Sequence, residues 1–461
     1  MNMKKIFAII IFLIFNNIIL SILALYAGLG RPLINLDYIL ILIFFVGCRN
    51  YIKPFLILSL YLVIYFIDVL LLAIQIFPFI RLTDILYLSN FVFNGPILYR
   101  IILISLLIYF VFNFFILRDF FYKKIKLSIK GFLSIFFVTL LLIFIKHLFN
   151  PIEKDSIYAR FESSIYSSQL LFFLKHQNSS LVESVNGKVS ELEPNRYNHA
   201  TKSLFSNASN NNLSSKILLI VNESWGETNN KEHQDAILFS IYHAKDKLEY
   251  IHKGSFNFIG ATVAGELREL CNLQPTTFNL KESNSQLYKD CLPNLLYKKG
   301  YETHAMHGAM SVMYDRKDWY PKAGFKNLYF YENLDTQSQC KSFSGRCDRD
   351  LIKYVKKLLL DHEKSFVYWL TLNTHAPYDD MVFIGDLNCQ RLGVKDNTET
   401  CNNFRLQNQF FTSLSKLIYD PDMSGVEVYV VGDHSPPIFN LPDNFFSFKG
   451  SEIAWIHFKI K

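Results

Sequence analysis

The feature that most constrains this chain is the apolar character of its first third. Residues 1–150 are dominated by Ile, Leu and Phe and run for long stretches without a charge. A helix needs about 20 apolar residues to cross a bilayer. Five stretches are read as spans, near residues 6–27, 34–48, 54–77, 97–117 and 129–149, the second being the shortest. The first follows Lys4 and Lys5 in the manner of a signal peptide. Its apolar core is too long for that, no small-residue cleavage site follows, and further spans come after it.

Orientation follows from the basic residues in the connecting loops. Lys4 and Lys5, then Arg49 and Lys53, then Arg118, Lys123, Lys124 and Lys126 occupy alternate segments. The intervening loops carry only Arg31, and Arg81 with Asp84. Basic loops stay on the cytoplasmic side. A multi-pass inner (plasma) membrane protein is therefore expected, with residues beyond 150 outside the cytoplasm, in the periplasm. The net charge of +7 belongs to this topology and to the surface. No aromatic-basic recognition pattern accompanies it, so nucleic acid is not an expected partner.

Cysteine usage agrees. Cys48 lies in a span, and the other six, Cys271, Cys291, Cys340, Cys347, Cys389 and Cys401, all lie in the exported part. An even set in an oxidising compartment implies disulfides. Their clustering suggests 271 with 291, 340 with 347 and 389 with 401. Free or metal-binding thiols are the alternative, weakened by the absence of any CxxC spacing.

Residues 151–215 read as a connector. "FESSIYSSQLLFFLKH" (161–176) suits either an interfacial amphipathic helix or a packing helix, and "NASNNNLSS" (207–215) is a polar linker. The compact domain is expected over 216–461. Three apolar, β-branched runs read as buried parallel strands: "KILLIVNES" (216–224), "SFVYWLTLNTH" (365–375) and "VEVYVVGDH" (426–434). Helical patterns such as 348–364 lie between them, which implies an α/β domain with a mostly parallel sheet. Such sheets bind ligands beyond the carboxyl ends of their strands. The three runs end in Glu223, in His375 and in the pair Asp433–His434.

Two carboxylates and an imidazole at one sheet edge suit Zn²⁺ or Mn²⁺, with Mg²⁺ a further option. Alone, Glu223 would be read as a surface or capping carboxylate. "FIGATVAGELREL" (258–270) offers a group for a metal to activate, because Thr262 sits between Gly260 and Gly265 where a turn enters a helix. A hydroxyl there lies near backbone N–H donors and can serve as a nucleophile. The plainer reading of Thr262 is an N-cap supported by Glu266 or Glu269.

"IVNESWGE", "GATVAGEL", "MHGAMSVMYDRKDWYPKAGF", "TLNTHAPY" and "VVGDHSPP" occur in the order and spacing of the membrane-anchored sulfatase-like transferases of the alkaline phosphatase superfamily. The chain resembles lipoteichoic acid synthase and the phosphoethanolamine transferases of lipid A, over most of its length and including the multi-span N-terminal region. The resemblance implies metal-dependent transfer of phosphoethanolamine or phosphoglycerol from a phospholipid to a cell-envelope glycan or lipopolysaccharide. Carried over by motif, Glu223, Thr262, Asp433 and His434 bind the metal, and Thr262 is the nucleophile that becomes phospho-threonine. His307, Arg316 and His375 hold the phosphate and assist proton transfer, with His304 and Tyr314 as weaker candidates and Tyr314 and Trp319 near the donor. The chain departs from the pattern in places. Tyr314 stands where lipoteichoic acid synthase has Trp, "CKSFSGRCDRD" (340–350) is closer to the phosphoethanolamine enzymes, and "GDHSPP" lacks their Gly-Glu after Asp-His.

Two rivals stand beside that reading. One is a membrane-anchored phosphodiesterase or sulfatase-type hydrolase, in which water replaces the acceptor. A sulfatase of the usual type needs Cys or Ser at the nucleophile position, where this chain has Thr262. The other is a non-catalytic membrane scaffold, against which the intact Glu223, Thr262, Asp433 and His434 argue.

Overall fold

A computed structural model of the chain describes residues 16–22, 24, 31–47, 54–76, 81, 97–116, 129–149, 165–175, 180–210, 212–336, 338–376, 378, 387–438 and 447–461. The chain divides into two compact units, Met1–Lys188 and Val189–Lys461.

The first unit is helical. Helices span Asp37–Gly47, Pro54–Ile76, Ile97–Ile116 and Ile129–Phe149. Among the described residues one helix is long and apolar enough to cross a membrane, over Leu58–Gln75, and shorter apolar helices cover Leu103–Phe115 and Phe136–Ile145. Most of the expected first span, and the basic loops after the second and fourth, lie outside the described residues. Leu107, Ile108, Phe112, Phe137 and Phe144 point outward from their helices. A buried charge pair is satisfied locally: Arg31 and Asp68 meet at 2.7 Å, and Tyr38 and Asn35 also donate to Asp68. The segment read as interfacial or packing forms a helix over Gln169–Lys175 that packs on Pro54–Ile76. Asp37 caps its start by accepting from Ser168 Oγ and the Leu170 N–H.

The second unit is built on an eight-stranded mixed sheet. Its strands are β1 (Lys216–Asn222), β2 (Gly226–Thr228), β3 (Leu248–Asn257), β4 (Glu302–His307), β5 (Asn327–Tyr329), β6 (Ser365–Leu370), β7 (Glu427–Gly432) and β8 (Phe448–Ile460). The order is β2-β8-β7-β1-β6-β4-β5, with β3 also pairing with β8. From β7 to β5 all pairs are parallel. β8 runs antiparallel to its neighbours. Ile217 to Val221 are all fully buried, as a strand covered on both faces requires. Each such side chain contributes about 1.5–3 kcal/mol of burial.

The sheet strands are shorter than the apolar runs suggested. β1 stops at Asn222, β6 at Leu370 and β7 at Gly432, so the polar residues begin in the turns that follow. His375 does not end a strand: it lies five residues beyond β6. Residues 207–210, read as linker, form the last turn of helix α1 (Lys202–Asn210), which has the pattern of an amphipathic helix and buries Leu204 and Ala208. The other helices that matter here are α2 (Thr262–Cys271), α3 (Arg316–Ala323), α4 (Asp348–Leu360) and α5 (Glu399–Ile418). Disulfides join Cys271 to Cys291, Cys340 to Cys347 and Cys389 to Cys401.

Candidate active site

β1 and β7 are parallel neighbours in a register that pairs Asn222 with Gly432. The next residue of each chain, Glu223 and Asp433, therefore leaves the sheet at the same place. Gly432 is required there, because a Cβ would lie 2.1 Å from the Trp225 carbonyl oxygen. Ser224 adopts a left-handed conformation, φ 53°, costly for a residue with a Cβ. That turn aims its N–H at Asp433 Oδ1 (2.7 Å) and its hydroxyl at Glu223 Oε1 (3.1 Å).

The side chains converge. His434 Nε2 lies 3.3 Å from Glu223 Oε1 and 3.2 Å from Asp433 Oδ2. Thr262, the first residue of α2, donates its hydroxyl to Glu223 Oε2 at 3.3 Å. Ala261 is the N-cap and offers no side-chain bond, so Thr262 is not the cap. Nor do Glu266 and Glu269 support one, since each is paired elsewhere. His434 Nδ1 faces the Ser435 carbonyl at 3.0 Å, which can only accept, so Nδ1 carries a proton. A neutral ring then turns the lone pair of Nε2 toward two carboxylate oxygens, and Asp433 Oδ2 is buried without a hydrogen-bond partner among the described residues. Such a set of converging lone pairs is stable only with a proton or a cation among them. Without a cation, protonation is what the charges favour. Burial opposes an imidazolium at His434, but Asp433 and Glu223 outweigh it and raise the group to about 10. Burial and the Glu223 charge push Asp433 up to about 7. Burial would also raise Glu223, but His375 and His434 hold it well below the usual carboxylate range. The ligand atoms of Glu223, Asp433 and His434 lie within 4.8 Å of one another. A histidine whose other nitrogen donates to a backbone carbonyl is the usual metal-binding arrangement. The donors fit a divalent cation.

Residues 257–441 match the Sulfatase family. The match takes in Thr262, His307, Arg316, His375, Asp433 and His434 and begins after Glu223. No curated protein matches the chain significantly. Among solved structures, the lipoteichoic acid synthase LtaP from Listeria monocytogenes is 18% identical over 53% of this chain and 65% of that one, with a TM-score of 0.40. This chain thus spans less than two-thirds of LtaP. The periplasmic domain of EptC from Escherichia coli, in complex with Zn, is 13% identical over 53% of this chain and 72% of its own, TM-score 0.37. The lipooligosaccharide phosphoethanolamine transferase EptA from Neisseria meningitidis, an integral membrane protein, is 13% identical over 99% of this chain and 88% of its own, TM-score 0.43.

Around the cluster of Glu223, Asp433 and His434 the remaining predicted residues are placed unequally. His307 ends β4, is buried, and donates Nδ1–H to the Leu370 carbonyl at 3.0 Å. Burial first, then the Arg316 charge, push it down to about 3. With Nδ1–H committed to Leu370, Nε2 is the ring's remaining nitrogen. Arg316 gives Nε and Nη2 to Glu266 Oε1 (3.0 and 2.6 Å), and Tyr320 donates to the other oxygen. Its charge reaches His307 and Tyr314 from within a closed ion pair. Tyr314 and Asp315 are both left-handed, with φ 54° and 55°. Burial raises the Tyr314 phenol well above its ordinary value. Trp319 is fully buried and holds the Tyr314 carbonyl at 3.1 Å, so it supports Tyr314 from behind. His375 packs beside Phe343, 4.7 Å between rings, and Ser342 donates to its carbonyl at 3.0 Å. His304 is three residues before His307 on the same strand, hence on the opposite face. It packs against Tyr329 and His362.

Sequence reasoning missed the polar frame beneath Glu223. Thr371 Oγ1 accepts from the Glu223 N–H, and Thr374 and Gln407 donate to its carbonyl. Asn222 bonds Gln407 at 2.7 Å, and Asn403 bonds the Ser224 carbonyl. Asn403 and Gln407 stand four apart on α5 and are buried. Two amides on the apolar stripe of a helix were the available signal. A second acid–thiol group, Cys389, Asp396 and Cys401, also lies close together, but its two sulfurs are bonded to each other.

Proposed function

We propose that the chain is a multi-pass membrane enzyme that transfers a phosphorylated headgroup, phosphoethanolamine or phosphoglycerol, from a phospholipid to an envelope glycan or lipopolysaccharide. Five spans occupy residues 1–150, residues 151–215 connect, and residues 216–461 form the catalytic domain in the periplasm. The outward-facing apolar side chains of Ile97–Ile116 and Ile129–Phe149 support the spanning region. The three disulfides support an oxidising compartment.

The observation that carries the reading is the Thr262 hydroxyl at the start of α2, hydrogen-bonded to a carboxylate of an acid–acid–imidazole cluster. Glu223, Thr262, Asp433 and His434 would hold a divalent cation, Zn²⁺ or Mn²⁺ by donor type, which supplies positive charge where the nucleophile and phosphoryl oxygens carry negative charge. Thr262 gives its proton to the Glu223 carboxylate that it already faces, its Oγ forms a bond to the headgroup phosphorus, and the bond to the diacylglycerol oxygen breaks, that oxygen taking up a proton to leave as the alcohol. The N–H groups that open α2 face the phosphoryl oxygens. In the second displacement the acceptor hydroxyl oxygen bonds to phosphorus, the bond from phosphorus to Thr262 Oγ breaks, and His307 Nε2 would accept the acceptor's proton. His375 would serve as a partner for a phosphate oxygen.

Intact-mass spectrometry after incubation with mixed phospholipids and Zn²⁺ tests this. An adduct of phosphoethanolamine or phosphoglycerol mass, absent in Thr262→Ala, is the expected outcome and names the donor. Release of diacylglycerol by Thr262→Ala at the wild-type rate would refute the nucleophile.

A further inference from the structure

Arg268 is fully buried on α2, yet neither the motif reading nor the mechanism uses it. Its guanidinium makes three different bonds. Nη2 donates to the Gly432 carbonyl at 2.7 Å, Nη1 to the Asp433 carbonyl at 3.2 Å and Nε to Glu269 Oε1 at 2.7 Å. Its plane is covered by Phe258, with Cζ 4.1 Å from the ring centroid, and by Phe256 at 5.2 Å. A buried arginine spent on two successive main-chain carbonyls is an expensive device unless their position matters.

Those carbonyls belong to the last residue of β7 and to Asp433. The same helix touches them a second time, one turn earlier. A Cβ on Gly265 would stand 3.0 Å from both Cα and the carbonyl oxygen of Asp433. Thr262 opens this helix, so one rigid element carries the hydroxyl at its first turn and grips the Asp433 backbone at its second. Glu269 anchors the other side. It accepts from the N–H groups of Ala200 and Thr201, at 3.3 and 3.1 Å, where α1 begins. The clamp is thereby tied to the segment that precedes the sheet in the chain.

We propose that Arg268 is a positioning residue for the cluster of Glu223, Asp433 and His434. By fixing the 432–433 main chain to the Thr262 helix, it sets the separation between the Asp433 carboxylate and the Thr262 hydroxyl. This rests on the metal-binding reading given above. Supporting shells of this kind commonly change metal affinity by about 10- to 100-fold when altered.

The test uses the full-length chain in detergent and Zn²⁺ itself, with affinity measured by competition against a chromogenic chelator and the fold followed by circular dichroism and thermal melting. Arg268→Lys keeps the charge but cannot span both carbonyls and Glu269. It is expected to fold and to bind Zn²⁺ at least about tenfold more weakly. Gly265→Ala, which presses on Asp433 without touching the arginine, is expected to weaken Zn²⁺ as well, and it decides the matter should Arg268→Lys fail to fold. A folded variant that melts earlier but binds Zn²⁺ like the wild type assigns Arg268 a purely structural role and overturns the inference. A wild-type chain that folds and binds no Zn²⁺ overturns the metal-centre reading itself, a result distinct from a variant-specific failure.

Discussion

Strand β7 begins on one buried carboxylate and is followed at once by another, and the two are treated in opposite ways. At its start, Glu427 Oε1 accepts from Tyr429 at 2.8 Å, His457 at 2.8 Å and Tyr250 at 3.2 Å. Burial works against the charge there, but those donors outweigh it and hold the group at about 2. Just past the strand's other end, Asp433 is pushed up to about 7 by burial and by the neighbouring Glu223 charge, and one of its oxygens has no hydrogen-bond partner among the described residues. One end is closed in on itself and contributes stability. The other is held in an unfavourable state, as sites that bind or react commonly are.

The contrast can be broken by experiment. Thr262→Ala is expected to remove the adduct and reduce transfer by about 10³-fold or more, measured as diacylglycerol release, because the cluster beside Asp433 then has nothing to activate. Asp433→Asn is expected to cost about 100-fold in Zn²⁺ affinity while leaving the metal-free chain at least as stable as the wild type at neutral pH, since it relieves the carboxylate crowding. A drop in its metal-free melting temperature would show that this end, too, is structural. Glu427→Gln is expected to leave transfer unchanged and to cost about 1–2 kcal/mol at pH 7 in chemical denaturation. The sign of its pH dependence is fixed by the lowered folded value. The stabilisation is present above the unfolded carboxylate's range and disappears as pH falls through about 2, so the gap to wild type should close in acid. Tyr250→Phe removes only the longest of the three bonds, at an expected cost of about 0.5–1 kcal/mol with no change in transfer.

The sequence carried the strands and the cluster at their ends because burial leaves a periodic trace. Lys216–Asn222 and Glu427–Gly432 could be read from β-branched runs, and their parallel register brings Glu223 to Asp433 without further instruction. Partner choice leaves no such trace. Nothing near Arg316 in the sequence announces its pairing with Glu266, fifty residues away. His375 looks like a strand end because the polar turn 371–374 is buried against Asp348, which accepts from the Leu372 and Asn373 N–H groups, so the run of apolar character continues past the strand. Ser224 carries no sign of its left-handed turn, since any residue type can be forced there when its N–H has a carboxylate to meet.

The three disulfides close short distances along the chain, 20, 7 and 12 residues. The bond from Ser224 to Asp433 closes 209. Local links can form while the rest of the chain is still being delivered, whereas β1 must wait in the middle of the sheet for β7, almost the last strand made. Contacts of such long separation form late. The second unit would therefore acquire its cross-links before it acquires a place for a cation, and a chain cut short before residue 427 would hold its local links but not the pairing of Glu223 with Asp433.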